Sequence, residues 1–191
     1  MSPPHQGRIA IYLGLVLTLC WLAVGVSSQT GTPRRITNTP EQALSLNPTL
    51  SGDGRHIAFE STESLAGTQT AASFHAFRAD LDSAAPTFAR LALGRAPAPA
   101  VSQDAAHIAF ASRDDPLTGN NLDGNSEIFL VQGGQLEQIT HTAPTDAARR
   151  VAGGNFAPSI SDDGRLIAFS SNRNLTGANG DANLELFLYD L

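Results

Sequence analysis

Pro158-Ser-Ile-Ser-Asp-Asp-Gly-Arg-Leu-Ile-Ala-Phe-Ser-Ser171 occurs in three versions in this chain, the other two at Pro48–Ser61 and Pro99–Ser112. The shared pattern is Pro-x-aliphatic-Ser-x-Asp-x-x-x-Ile-Ala-Phe-x-Ser, with seven of fourteen positions identical and no gap inside the unit. An internal repeat of this kind outranks local propensity as a guide to fold, because each copy must be one structural unit that stacks on its neighbours. Each unit reads as strand, tight turn, strand. Proline opens the first strand, where a missing N–H is tolerated, and Leu50, Val101 and Ile160 are its apolar residues. Asp53-Gly54 and Asp163-Gly164 supply the turn. The second unit has Ala105 at the glycine position, which predicts about 1 kcal/mol of strain if the site is left-handed.

In the second strand, alternation places Ile57 and Phe59 on one face and Ala58 on the other. Ile108/Phe110 against Ala109 and Ile167/Phe169 against Ala168 repeat the arrangement. A large face and a small face on every sheet suit sheets stacked face to face. Third strands are expected at Phe74–Asp80, Ser126–Gln132 and Leu184–Asp190. Arg90-Leu-Ala92 and Glu137-Gln-Ile-Thr140 follow as outer fourth strands, and Arg34-Arg-Ile-Thr37 resembles them but precedes the first unit.

These residues resemble the TolB-type, WD-repeat-like β-propeller family, whose blades carry the signature seen at Pro48, Pro99 and Pro158. The resemblance covers Arg34 to Leu191. It implies an all-β fold of four-stranded antiparallel blades, about three being present, at residues 47–93, 98–141 and 157–191, with a lone outer strand at 34–37. The family spans periplasmic scaffolds, gating propellers of peptidases and secreted proteins, so the fold alone does not fix a function. Propellers usually close with four to eight blades. Two expectations follow for the third blade, which stops at Leu191 before its outer strand: further blades lie downstream, or two chains pool their blades as a homodimeric ring, each lending the strand at 34–37.

Ile9 to Val26 is an apolar run of eighteen residues after Arg8, followed by Ser27-Ser28. It predicts a signal peptide, residues 1–28, cleaved after Ser28, with residues 29–191 exported to the periplasm or secreted. The alternative that its length allows is an uncleaved membrane anchor at residues 9–26. Cys20 is the only cysteine and lies inside this run, so the remainder contains no disulfide. The net charge is −6, and every basic residue is arginine. That balance argues against nucleic acid, and against a membrane surface apart from the N-terminal segment.

The loops between second and third strands carry the one constellation with chemical content. Leu117–Phe129 and Leu175–Phe187 align without a gap and place Asn121, Asp123, Asn125 and Glu127 in register with Asn179, Asp181, Asn183 and Glu185. Alternate oxygen donors in a tight loop are what calcium requires, at an extracellular-type affinity of about 0.1–1 mM. The same residues are also ordinary hairpin-turn residues that bond backbone groups without an ion. The first unit has Gln69, Ala71, Ser73 and His75 there and predicts no metal. No Gly-x-Ser-x-Gly elbow, His-Glu-x-x-His pair or phosphate loop occurs, and His56 and His107 align with Leu166 as packing residues. The expectation is a non-catalytic module without a cofactor, calcium apart, that binds a protein, peptide or glycan; the alternative is an accessory domain of a larger enzyme such as a peptidase.

Overall fold

The structure is a computed structural model that describes residues 31–67, 73–143 and 153–191. Ladder pairing between the repeats' strands builds three antiparallel sheets, and no helix occurs among the described residues. Blade one is β1 (Ser45–Leu50), β2 (His56–Ser61), β3 (His75–Asp80) and β4 (Thr87–Leu93), paired in that order. Blade two is β5 (Ala100–Val101), β6 (His107–Ser112), β7 (Glu127–Gln132) and β8 (Gln135–Gln138). Blade three has β9 (Asn155–Ile160), β10 (Leu166–Ser171) and β11 (Glu185–Asp190), with β10 central. The third strands lie within a residue of their expected starts.

Every polar position of the repeat has a structural use. Ser51, Ser102 and Ser161 donate their hydroxyls to Asp53, Asp104 and Asp163 at 2.6, 3.1 and 2.5 Å. The same hydroxyls accept the N–H of the residue that opens the second strand, His56, His107 or Leu166. Each aspartate also accepts the amide two residues on, from Arg55, Ala106 and Arg165. These bonds hold all three carboxyls below the usual range, the serine hydroxyl weighing most at Asp53 and Asp163 and the Ala106 amide at Asp104. The terminal serines Ser61, Ser112 and Ser171 each accept the amide two residues on and so end the second strand.

Pro99 stands directly before β5, but in blades one and three the proline does not open the strand. Strands β1 and β9 begin three residues before it, and the pairing shifts there: Asn47-Pro48 stands opposite Phe59, and Ala157-Pro158 opposite Phe169. This is a β-bulge, two residues against one, and proline suits it because the bulged residue needs no ladder donor. The residue before each proline is left-handed, with φ of 54° at Asn47, 50° at Ala98 and 49° at Ala157. Arg34–Thr37, expected as an outer strand, is irregular. An outer strand needs a third strand to pair with, and none precedes β1 among the described residues.

The blades stack as the alternation requires. Ala58, Ala76 and Ala92 of blade one are buried with Ile108, Phe110, Phe129 and Val131 of blade two. Ala109, Ile128 and Leu130 on the other side of blade two are buried with Ile167 and Phe169 of blade three. Within each blade the two phenylalanine rings stack, with centroids 5.7–6.0 Å apart. The turns join as well, Asp53 N–H to the Gln103 carbonyl and Gln103 N–H to the Asp162 carbonyl, both at 2.9 Å. Gly164 is left-handed and covered by the His107 ring of the preceding blade, where a Cβ would clash. His107 is therefore a packing residue.

Ala105 adopts φ 56° and keeps the hydrogen bond that Gly54 and Gly164 make, so its turn is strained and not shifted. Ala182, at φ 57°, stands where blade two has Gly124. Glycine at Ala182 is expected to raise stability by about 1 kcal/mol, or roughly 2–4 °C in Tm. At Ala105, buried in the seam, the lost methyl contributes about 0.8 kcal/mol, so Ala105→Gly should be nearly neutral. Thermal denaturation of both variants checks the contrast.

Candidate functional site

Second-to-third-strand loops and blade-to-blade connectors emerge at one end of the sheets, and the tight turns at the other. The loop end holds all eight candidate calcium ligands, and the structure gives most of them protein partners. Asn121 donates its Nδ2 to the Asp114 carbonyl at 2.9 Å and the Asn125 carbonyl at 3.1 Å. Asn179 does the same in blade three, to Arg173 and Asn183 at 3.4 and 3.0 Å. Each is a brace between the two ends of its loop. Asp123 accepts the Asn125 amide at 3.2 Å, Asn183 donates to Glu185 at 2.9 Å, and Asp181 is exposed.

Glu127 points elsewhere. It is 1% exposed, and its carboxylate accepts from the Thr140 hydroxyl, the Thr142 amide and hydroxyl, and Asn155 Nδ2, at 2.5–2.8 Å. Four donors fill the four acceptor sites of a carboxylate. They come from the connector after β8 and from the first residue of β9, so Glu127 ties blade two to blade three. Ser126 adds to this seam, its carbonyl accepting the Asn155 amide at 2.8 Å and its hydroxyl donating to the Asn155 carbonyl at 2.6 Å. A calcium ion in this loop would have to displace donors that already satisfy Glu127. Asn125 Oδ1 is buried without a partner, yet its Nδ2 is bound to the Thr142 hydroxyl at 2.9 Å. Among the described residues no three His, Cys, Asp or Glu side chains converge as metal ligands. Gln69 and Ala71 lie outside the described residues.

Sequence reasoning missed three residues. Asp115 accepts the amides of Gly119, Asn120 and Asn121, and these bonds, Gly119 foremost, lower its pKa; Asn174 accepts the Asn179 amide at 2.8 Å in the corresponding loop. Glu60, fully buried on β2, accepts from Asn47, from the Arg95 guanidinium and from the Ala96 amide. Arg95-Ala96 is the connector into blade two, so Glu60 does there what Glu127 does at the next junction. The signal was an acid inside an apolar strand, Ile57-Ala-Phe-Glu60.

Three sheets of this topology, stacked face to face through repeated apolar seams, decide the architecture. The chain has the β-propeller fold. Over 82% of its length it is similar to the oligogalacturonate lyase of Vibrio parahaemolyticus, at 12% identity and a TM-score of 0.53, and it spans 38% of that protein. TolB from Acinetobacter baumannii is matched over 78% of the propeller chain and 30% of its own, at 19% identity and a TM-score of 0.49. The β-propeller domain of the Trilobed protease from Pyrococcus furiosus is matched over 78% of this chain and 39% of its own, at 14% identity and a TM-score of 0.44. The chain thus spans about a third of the length of the structures it matches. No family model and no curated protein matches the sequence. Among the described residues no helix is long and apolar enough to cross a membrane; the segment at residues 1–28 and its apolar run 9–26 lie outside them.

Replacing Glu127 by Gln is expected to leave a buried donor unpaired and to lower stability by about 1–3 kcal/mol. Calcium at about 1 mM should leave the melting temperature of the parent chain unchanged. A calcium-dependent rise that Glu127→Gln abolishes would return Glu127 to the role of ligand.

Proposed function

We propose that this chain is an exported, non-catalytic β-propeller module that binds a protein, peptide or glycan partner across the loop end of its blades. The observation that carries this reading is the contrast between the two ends. At the turn end, the repeated Ser-x-Asp groups bond to their own backbone and the turns bond to one another. At the loop end, Leu122 is 82% exposed and Leu184 63% exposed beside Asn120, Asp123 and Asp181. Apolar side chains held on braced loops and ringed by polar groups are the composition of a recognition surface. The acids of the repeat support a non-catalytic role, since Asp53, Asp104, Asp163, Glu60 and Glu127 all serve backbone or connector bonds. Binding through loops presented by a repeat array is the usual use of such scaffolds.

A second reading rests on length. The chain spans 38% of a lyase and 39% of a protease's propeller domain, and as an accessory blade set of a larger enzyme it would present the same loop end to that enzyme's substrate.

A photo-cross-linking residue at Leu122, compared with one at Ala84 on the exposed β3–β4 turn, separates the two ends in cells that export the chain. Leu122 is expected to capture one discrete partner and Ala84 none. Equal capture at both positions, or none at Leu122, would contradict the assignment.

A further inference from the structure

The two outermost faces of the stack differ from each other as the two sides of a seam differ. Blade three presents Ala168, Leu186 and Leu188, and both leucines are open to solvent, at 83% and 66%. The pairing of β10 with β11 sets Ala168 opposite Leu188 and Ser170 opposite Leu186. In blade two, Ala109 is opposite Leu130 and Ala111 opposite Ile128. Ala168, Leu186 and Leu188 are therefore the counterparts of Ala109, Ile128 and Leu130, which are fully buried against blade three. At the other end, the face of blade one that holds Ile57, Phe59 and Phe77 is the counterpart of Ile108, Phe110 and Phe129, which lie buried against the alanine face of blade one; here Phe59 and Phe77 are already buried in a cluster with Ile36, Leu65 and Phe88. An apolar groove of about 270 Å³, bounded by Ile36, Leu46, Pro48, Ile57 and Phe59, lies on that face.

Ile36 shows what belongs there. Leu91 and Ile139, from the outer-strand segments of blades one and two, each pack into the apolar cluster that contains the following blade's phenylalanines. Ile36, in the matching Arg-Arg-Ile-Thr segment, packs on Phe59 and Phe77 of blade one. It occupies the position of an outer-strand residue from a blade that would precede blade one. Blade three is the sheet without an outer strand, and the outer edge of β11 has no strand partner among the described residues.

We propose that a second copy of this chain covers both faces: blade three of one copy seats Leu186 and Leu188 in the groove of its partner's blade one, and the partner's Arg35–Thr37 pairs with β11 as the fourth strand. One copy supplies the strand and the phenylalanine face, and the other supplies the open edge and the alanine–leucine face. The twofold operation makes the second seam identical to the first, so each copy's exposed leucines meet the groove of the other. The proposal rests on the repetition of a seam the chain builds twice within itself, and is independent of what the loop end binds.

Light scattering of the full chain at micromolar concentration is expected to give twice the mass of one chain. Leu186→Asp and Leu188→Asp alter side chains already exposed in a single chain, so each should keep the parent's circular dichroism. Each should also raise the dimer dissociation constant by about tenfold or more. Leu122→Asp, off the seam, should remain dimeric. Hydrogen exchange supplies a readout that does not depend on the variants: the β11 amides at the outer edge should be protected in the parent and exchange faster on dilution. A monomeric parent, an open-ended series of oligomers, or leucine variants that dimerise as tightly as the parent would overturn the proposal.

Discussion

The structure depends on one packing arrangement: a sheet face bearing two stacked phenylalanines and an isoleucine laid against the blade before it, on an alanine face in the first seam and on Ala109, Ile128 and Leu130 in the second. The alternation of the Ile-Ala-Phe tripeptide starts both faces, and the third strand completes them with Ala76 in blade one and Ile128, Phe129 and Leu130 in blade two. Phe110 and Phe129 are fully buried in the first seam, and Ile167 in the second. Burial of one such side chain contributes about 1.5–3 kcal/mol, whereas the exposed Arg55–Asp82 and Arg165–Asp190 pairs are screened by solvent and add little. With no cysteine beyond Cys20, the apolar seams carry the stack. Its remaining polar bonds are junction devices: the turn-to-turn amides at one end, and Glu60 and Glu127 at the other.

Much of this was legible in the sequence because repetition removes ambiguity. Three copies of one strand–turn–strand unit gave the blade number, the third strands to within a residue and the sidedness of each sheet. Ala105 could be read as strained because two glycines aligned with it. The bulge was not legible. Proline is compatible both with a strand start and with a bulge inside a strand, and only the opposite strand, with one phenylalanine facing two residues, distinguishes them. Arg34–Thr37 reads as a strand from its likeness to Glu137–Thr140, but a strand needs a partner, and the likeness survives in the structure only as the contact of Ile36.

The loop residues at alternate positions differ in their surroundings. Asn121, Asp123, Asn125 and Glu127 alternate in the sequence, yet they do not share one environment: Asn121 braces its loop through nitrogen, and Glu127 turns into the seam between blades. Sequence distance reports which residues are near along the chain, while the donors that claim Glu127 come from Thr140, Thr142 and Asn155. Glu60, which performs the same task one junction earlier, sits at a different place in its repeat and so could not be found by alignment. A carboxylate within an otherwise apolar strand is the feature the two share. It marks a connector to be fastened, and with the connectors fastened the loop end becomes a firm surface on which exposed residues such as Leu122 are displayed.

If the phenylalanine–alanine seams hold the stack, stability must follow the number of faces each blade has covered. Native-state hydrogen exchange, at a concentration where the chain is monomeric, measures this strand by strand. The slowest amides should be those of β6 and β7, in the blade covered on both sides, with protection falling toward β1 and β11. Protection that is uniform across the three blades, or highest in blade one or blade three, would contradict it.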